Sequence, residues 1–347
     1  MSSIGVAILG FAHGHGGAYL NRMKTFDDVR LVAGWDHDAD RGKAGANQFG
    51  LEFEPHLEHL LARNDIDAVI VTCETNRHAG VVEAAAAAGK HILLQKPMAT
   101  TLADCDRIIE AVDRSRITLQ MAFQMRCDPS NQKMKELIDD GTLGKIGMMR
   151  RRHCINFLFN PDLPRSSAAW HIDPVANVGM FFDDAVHAAD LLYWFLGKPV
   201  SVMAEIDNIL TNIAPDDTGI AIYRFEGGAA AVLMNASVTL AGENTTEIYG
   251  DQGVLIQNWD DGVSTGFAPP GAAPLKLYRK GQPARWEEIA LPIPAGHGER
   301  IAAVPRPWID QLKAGAPPTV NARDGKVSVE MCLAAYTSAR EGRRIHV

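Results

Sequence analysis

The sequence predicts an α/β protein with two domains, a parallel sheet in the first and a mainly antiparallel sheet in the second. The chain has 347 residues, which suits two domains of roughly 150 residues each. Its first 122 residues alternate short apolar runs with helical stretches, as βαβ units do. From about residue 145, longer segments of alternating polarity are separated by Gly and Asp turns, which indicates hairpins.

The first domain, residues 1–122, is expected to hold five parallel strands. These runs are nearly all apolar, as strands buried on both faces of a sheet are. The stretches between them are rich in good helix formers. The predicted strands are 4–9, 29–35, 68–72, 91–94 and 118–121, and the predicted helices are 16–24, 39–49, 77–88 and 102–115.

The second domain, residues 123–347, is expected to be built on the antiparallel sheet. Val232 and Met234 point to one face of a strand, and Leu233 and Asn235 to the other. One helix, 183–196, interrupts the sheet, and the Pro- and Gly-rich stretch 265–294 is predicted to be an extended loop. A terminal helix, 326–341, closes the chain and can pack back between the domains.

Charge and composition exclude several classes of function. The formal net charge is −8, so a nucleic acid is not an expected partner. No apolar run approaches the ~20 residues that span a membrane, and the first residues lack a basic region and a cleavage site. The five cysteines form no C-x-x-C pair, which favours free thiols. We expect a soluble cytoplasmic protein.

A glycine-rich turn follows the first strand and precedes a helix. In this context a turn can present backbone N–H groups and a helix N-terminus to a pyrophosphate. The match to G-x-G-x-x-G is partial, because Ala and His stand at the second and third glycine positions. The turn predicts a dinucleotide-binding Rossmann domain, with contacts from Gly10, Phe11, Ala12, His13, Gly14 and His15.

Asp36 ends the second predicted strand, where a carboxylate accepts hydrogen bonds from the adenosine ribose. A carboxylate there repels a 2′-phosphate, so NAD is expected rather than NADP, although Arg41 keeps NADP possible. The alternative is a tight β–α connection in which Asp36 only caps a helix. The pairs His13/His15 and His56/His59 have no clear third ligand, so no metal site is expected.

Several motifs occur together in a fixed order along the chain. They are residues 72–78, the stretch 88–99 ending in Gln-Lys-Pro-Met-Ala, and the segments 124–126, 140–146, 179–190 and 334–343. Together they resemble the Gfo/Idh/MocA family of nicotinamide-dependent oxidoreductases over essentially the whole chain. Gln95 stands where the family usually has Glu. The neutral amide should raise the proton affinity of Lys96 less than a carboxylate would. Glu74 stands where many members have Pro.

The resemblance implies an N-terminal Rossmann domain that holds NAD(H) and a C-terminal α/β domain with an open mixed sheet. It implies a small-molecule substrate, bound near Lys96, whose secondary hydroxyl is oxidised or re-formed: a sugar, an inositol or a related polyol. It also implies a homodimer or homotetramer joined through the second sheet. The further cofactor contacts expected from it are Thr72, Asn76, His78, Gln95 and Lys96.

Oxidation of a secondary alcohol needs a base for the hydroxyl proton and a positive group for the developing alkoxide. Asp183, His187 and Asp190 lie at i, i+4 and i+7 and share one helix face. We assign His187 as the base in oxidation and the acid in reduction, with Lys96 polarising the reacting oxygen or sharing its proton. Asp183 is expected to bind a neighbouring hydroxyl. Asp190 is expected to orient His187 or brace the helix. Alternatively, Asp183 and His187 form an ordinary helical pair.

Other residues are candidates for substrate contact. Trp170 can stack on the C–H face of a sugar or be a buried core residue. His171, Arg126 and Arg152 are weaker candidates, and at most two of the three arginines 150–152 can face one cleft because strand residues alternate.

Two further functions are compatible with the same motifs. One is a glycoside hydrolase that oxidises a sugar transiently with NAD, and the other is a regulator that binds NAD without chemistry. The presence of Lys96, Asp183 and His187 together argues against the regulator.

Overall fold

The computed structural model describes residues 3–242, 244–258, 271–281 and 283–347, and these fold around two sheets. The strands are β1 Ile4–Leu9, β2 Val29–Trp35, β3 Glu52–Phe53, β4 Ala68–Val71, β5 His91–Leu94, β6 Leu119–Met121, β7 Ile146–Cys154, β8 Pro199–Asp207, β9 Thr218–Phe225, β10 Ala230–Ala236, β11 Asn244–Gly250, β12 Gly253–Gln257, β13 Leu275–Arg279, β14 Glu287–Ile289 and β15 Ile345–His346. The helices are α1 His15–Met23, α2 Ala39–Phe49, α3 Leu57–Leu61, α4 His78–Ala87, α5 Leu102–Ser115, α6 Pro129–Asp139, α7 Pro174–Asn177, α8 Met180–Leu196, α9 His297–Ala302, α10 Pro305–Ala314 and α11 Ala322–Glu341.

The first sheet is parallel throughout, in the order β3-β2-β1-β4-β5-β6. Alternate residues of β1 point to opposite faces, so Val6 and Ile8 pack with one group of helices, and Ala7 and Leu9 with the other. Both faces are therefore covered, as the apolar strands predict. The order reverses beside β1, which places the carboxyl ends of β1 and β4 at a crevice where ligands bind in such sheets.

The second sheet has the order β14-β13-β12-β11-β7-β10-β9-β8-β15. Its strands pair antiparallel except β7 with β10, which makes it a mixed sheet. Helices α8 and α11 cover one face, where Leu233 and Tyr223 are buried. On the other face, Met203, Ile220 and Ile222 are exposed. The predicted fold class is thus confirmed.

The C-terminal segment contacts both sheets. Ile301, Trp308 and Ile309 of α9 and α10 pack with Val6 and Tyr19 in the core of the first sheet. Helix α11 packs on α8 and β8 and also touches α5 and β6. Residues distant in sequence therefore complete the layer that covers the Rossmann sheet.

The prediction of an extended loop over residues 265–294 is wrong for β13 and β14, which lie within it. Leu275 and Leu277 are both buried, and Leu277 pairs with Leu255 of β12 while Leu275 pairs with Ile289 of β14. Residues 265–270 and 282 of that predicted loop lie outside the described residues. In the described part of the chain, no helix is both long and apolar enough to cross a bilayer.

Candidate active site

The turn after β1 packs closely against the backbone that follows β4. Gly10 has φ +99°, and a Cβ there would collide with the backbone of Cys73. The turn is tied to the end of β4, because the Thr72 hydroxyl donates to Gly10 O at 2.6 Å and His13 N–H donates to Thr72 O at 3.0 Å. Helix α1 then begins after Gly14, and a Cβ placed on Gly14 would have no residue within 4 Å apart from its chain neighbours, so space is free beside the helix N-terminus. The arrangement fits a pyrophosphate at a helix N-terminus.

Asp36 lies buried at the end of β2 beside this turn. Its carboxylate accepts from Phe11 N–H at 2.7 Å and from Asp38 N–H at 2.9 Å. Arg41 adds two parallel hydrogen bonds, each of 2.8 Å. Burial works to raise the pKa of Asp36, but these hydrogen bonds hold it below its usual value. Asp38, not Asp36, caps α2, so the alternative of Asp36 as a helix cap is wrong.

Two further residues expected at the cofactor, Asn76 and His78, differ in their exposure to solvent. Asn76 is exposed on the 3₁₀ turn Thr75–Arg77. The buried ring of His78 lies 3.0 Å from Pro97 O through Nδ1 and 3.2 Å from Cys73 O through Nε2. It therefore braces the loops that follow β4 and β5.

Gln95 makes hydrogen bonds beneath the turn. Its Oε1 accepts from the Tyr19 hydroxyl at 3.2 Å and from Lys96 N–H at 3.1 Å. Its Nε2 lies 2.7 Å from His15 Nδ1 and 3.1 Å from His13 Nδ1. The amide thus joins β5 to the histidines of the glycine-rich turn.

A cavity of about 330 Å³ adjoins the turn. Residues from the turn itself, from the loop that follows β5, and from β7, α8 and α9 contribute to its lining. Many of its polar groups are imidazoles, and its lining includes Lys96 and two adjacent aspartates. The lining residues are His13, Gly14, His15, Lys96, Gln124, His153, Ile155, Asn156, Phe157, Ala168, His171, Asp183, Asp184, His187 and His297.

Lys96 and Asp183 form a buried ion pair in the cavity wall. Lys96 Nζ donates to Asp183 Oδ1 at 3.2 Å and to Asp183 O at 3.0 Å. His171 Nδ1 lies 2.8 Å from the other carboxylate oxygen, Oδ2. Burial works to raise the pKa of Asp183, but the charges of Lys96 and His171 hold it well below its usual range. Asp183 is therefore ionised and holds both cavity residues in place.

His187 lies one helical turn beyond Asp183 on α8 and is also buried. Its Nδ1 has no hydrogen-bond partner among the described residues. Burial, followed by the charge of Lys96, lowers the pKa of His187 well below its ordinary value. The imidazole is thus neutral near pH 7 and able to accept a proton.

His153, His297 and Gln124 also line the cavity, and the sequence analysis did not select them. His153 Nδ1, His297 Nδ1 and Gln124 Oε1 are buried atoms without a hydrogen-bond partner in the described part of the chain. Such atoms favour a polar ligand. The alternation of β7 offered a signal for His153, whereas nothing local to His297 marks it as a cavity residue.

Three of the expected substrate contacts, Trp170, Arg126 and Arg152, lie outside this cavity lining. Trp170 stacks on His171 with ring centroids 3.7 Å apart and donates from Nε1 to Ala12 O at 3.2 Å. Arg126 forms two hydrogen bonds with the buried Asp190, of 2.9 and 2.6 Å, and lines a separate cavity of about 280 Å³. Asp190 therefore pairs with Arg126 and not with His187.

The three consecutive arginines of β7 do not form one positive patch in the cavity. Arg150 pairs with Glu247, and the buried Arg151 donates to Thr246 Oγ1 at 2.7 Å and Asn244 Oδ1 at 2.8 Å. Arg152 is absent from the cavity lining. Within the described ranges, no group of three or more His, Cys, Asp or Glu side chains is arranged to hold a metal ion.

Comparison with known proteins identifies the family. Residues 4–123 match the model of the oxidoreductase family with an NAD-binding Rossmann fold, and residues 131–256 match the GFO/IDH/MocA C-terminal domain. The chain is 27% identical to a myo-inositol 2-dehydrogenase of Thermotoga maritima over 340 residues, 95% of each chain. It is 26% identical to a D-apiose dehydrogenase of Paraburkholderia graminis, over 95% of this chain and 86% of the relative.

A solved structure shares the whole fold. The levoglucosan dehydrogenase complex with NADH and L-sorbose has a TM-score of 0.85 at 22% identity, covering 100% of this chain and 99% of that one. Together with the two matched domains, this fold identifies the chain as a member of the Gfo/Idh/MocA family of oxidoreductases, with an N-terminal NAD-binding Rossmann domain.

Proposed function

We propose that this enzyme interconverts a secondary hydroxyl and a ketone of a neutral sugar, inositol or related polyol, using NAD(H). The observation that carries the proposal is the buried Lys96–Asp183 pair beside the neutral His187, in a cavity that adjoins the glycine-rich turn. Relatives named inositol, apiose and anhydrofructose oxidoreductases support this substrate class.

In the proposed reaction, His187 accepts the proton of the substrate hydroxyl. Lys96 has three N–H donors, and two of them are used by Asp183. The third can bind the reacting oxygen and stabilise its developing negative charge. As that oxygen becomes a carbonyl, the carbon gives up a hydride, and the nicotinamide supplies its acceptor when bound. Asp183 would bind a neighbouring hydroxyl and orient Lys96 and His171.

The charges at the cavity favour a neutral substrate. Lys96 is balanced by Asp183 at 3.2 Å. Burial lowers the pKa values of His13, His15 and His153 well below the ordinary range, so these three imidazoles carry no positive charge near pH 7. An anionic sugar acid would meet no unbalanced cation among them, whereas hydroxyl groups can bond with the imidazoles.

The cofactor is proposed to be NAD, held by the 10–15 turn and by Asp36. The collision that a Cβ at Gly10 would cause, the helix start at Gly14 and the buried carboxylate at the end of β2 support this. The site is proposed to be completed by Thr72, Asn76, His78, Gln95 and Lys96.

We further propose residues 1–122 as the cofactor domain and 123–347 as the substrate domain, within which α9 and α10 also cover the Rossmann sheet.

We also propose that the protein is a homo-oligomer joined through the open face of the second sheet. Met203 and Ile222 are cross-strand neighbours there and are 38% and 44% exposed, and an exposed apolar patch of this kind is typical of an interface. Ile222→Glu should release monomers in light scattering. An unchanged mass would reject this interface.

The free cysteines support a reducing, cytoplasmic compartment.

The function is tested by nicotinamide absorbance. Wild type and Lys96→Ala are incubated with NAD⁺, and separately NADP⁺, across inositols, aldoses, sugar acids and anhydrosugars. Formation of NADH by the wild type alone supports the dehydrogenase. Cleavage of a glycoside without net redox change would instead establish the hydrolase, and cofactor binding without turnover of any substrate would favour the regulator.

A further inference from the structure

We propose that Glu74 is a specificity determinant that excludes NADP by neutralising Arg41. The inference rests on the proposed function, since it assumes that the ribose lies near Asp36. Arg41 is the cation that could otherwise receive a 2′-phosphate at the end of β2. Glu74 lies in the loop between β4 and the 3₁₀ turn Thr75–Arg77. Since β1 separates β4 from β2 in the sheet, Glu74 reaches this arginine across the carboxyl end of β1.

Arg41 is held by two carboxylates at once. Its Nε and Nη2 each donate to Asp36 at 2.8 Å. The same Nη2 lies 2.9 Å from Glu74 Oε1. The Arg41 side chain is 21% exposed, and those of Asp36 and Glu74 are 0% and 11% exposed. This ion pair is therefore weakly screened by water, in contrast to pairs on an open surface.

The remaining charges near Glu74 do not restore a free cation. Its Oε2 lies 3.6 Å from His37 Nδ1 and 3.7 Å from Arg77 Nε. Arg77 is 48% exposed, so its charge is screened by solvent. A phosphate arriving at Arg41 would meet two nearby carboxylates and would have to displace one of them. A ribose hydroxyl brings no charge and can donate to either carboxylate.

Removal of one carboxylate charge should therefore weaken the discrimination. In Glu74→Gln, the amide oxygen can still accept from Arg41, but the negative charge is gone. We expect the ratio of the dissociation constants, NADP⁺ over NAD⁺, to fall about fivefold or more. Titration calorimetry on the full-length protein measures both constants. Glu83→Gln is the matched control, because Glu83 pairs with Arg107 on α4 and α5, and its ratio should stay unchanged.

A double variant tests the route through Arg41. If Glu74 acts by neutralising Arg41, Glu74→Gln should change the ratio much less in an Arg41→Met background. An unchanged ratio in Glu74→Gln, or an equal effect in both backgrounds, would overturn the inference. Failure of wild type to bind either dinucleotide would instead overturn the proposed function. Melting curves confirm that each variant is folded at the titration temperature.

Discussion

The amide nitrogen of Gln95 lies 2.7 Å from Nδ1 of His15. Two donors on the amide oxygen, the Tyr19 hydroxyl and the Lys96 N–H, fix which end of the amide faces the imidazole. Because an amide NH₂ group only donates, His15 Nδ1 accepts and the proton of the neutral ring is on Nε2. The Gln in place of the family's usual Glu thus sets the tautomer of a cavity histidine.

Gln95→Glu should raise the pKa of His15, because a carboxylate favours the imidazolium form. In the wild type, burial and the charges of Lys96, His297 and His171 lower that pKa, and Asp183 opposes them. Histidine ring signals followed by NMR against pH give the value directly. The control is Gln48→Glu, which adds the same charge on the exposed side of α2. An unchanged His15 titration would contradict the assigned hydrogen bond.

Stability should decrease as pH falls below about 6.5, the usual histidine pKa. The unfolded chain takes up protons there, while burial and the charge of Arg151 keep His153 neutral in the folded protein. The unfolded state then binds more protons, and linkage lowers the free energy of unfolding. Urea unfolding at pH 7.5 and 5.5 should show a smaller loss in His153→Gln, by about 1 kcal/mol. Equal losses would contradict the neutral state of His153.

Asp216 should stabilise the N-terminus of α8. Its carboxylate accepts from Phe181 N–H at 2.6 Å and from the Tyr336 hydroxyl at 2.7 Å, whereas Gly179 at the cap position has no side chain to do so. Asp216→Ala should cost about 2 kcal/mol in the free energy of unfolding. Tyr336→Phe keeps the bond of Asp216 to Phe181 N–H, although it removes the hydroxyl that accepts from Phe182 N–H at 3.1 Å, and it should cost less in the same urea titration because the carboxylate remains at the cap. Equal costs would mean that the cap is not the main contribution.

Arg126 should act as a partner of Asp190 and not as a substrate contact. Replacing either residue alone with Leu leaves a buried charge, with an expected cost of about 3–5 kcal/mol. The double variant should recover most of that stability and keep the KM for substrate, since Arg126 does not line the cavity that holds Lys96. A large rise in KM in the stable double variant would restore Arg126 as a substrate contact.

The features that could be read from sequence are those with local patterns. The bounds of β1, β2, α2 and α5 agree with the predicted runs because apolar periodicity and turn residues lie within each segment. Helix α11 begins four residues before its predicted start, at Ala322 and not at residue 326, where Asn321 and Asp324 form a capping box. That motif was present in the sequence and marks the start.

Features that depend on distant contacts could not be predicted in this way. His297 reaches the cavity only because α9 and α10 fold back onto the first sheet. The pairing of Arg126 with Asp190 joins residues 64 positions apart, and neither residue's neighbours in sequence signal it. Likewise, the strand β13 lies within a stretch whose composition is typical of a loop. It is a strand because it pairs with β12, where Leu277 lies opposite Leu255.

The most direct test of the central claim compares wild type with Lys96→Met and His187→Gln on the first polyol that is turned over. Calorimetry gives the NAD⁺ dissociation constant of each protein, and nicotinamide absorbance gives kcat. Both variants should lose roughly 100-fold or more in kcat, since each removes a proton-handling or charge-stabilising group, and His187→Gln should bind NAD⁺ nearly as wild type does. Either variant with wild-type kcat would contradict the assignment of hydroxyl oxidation to this cavity.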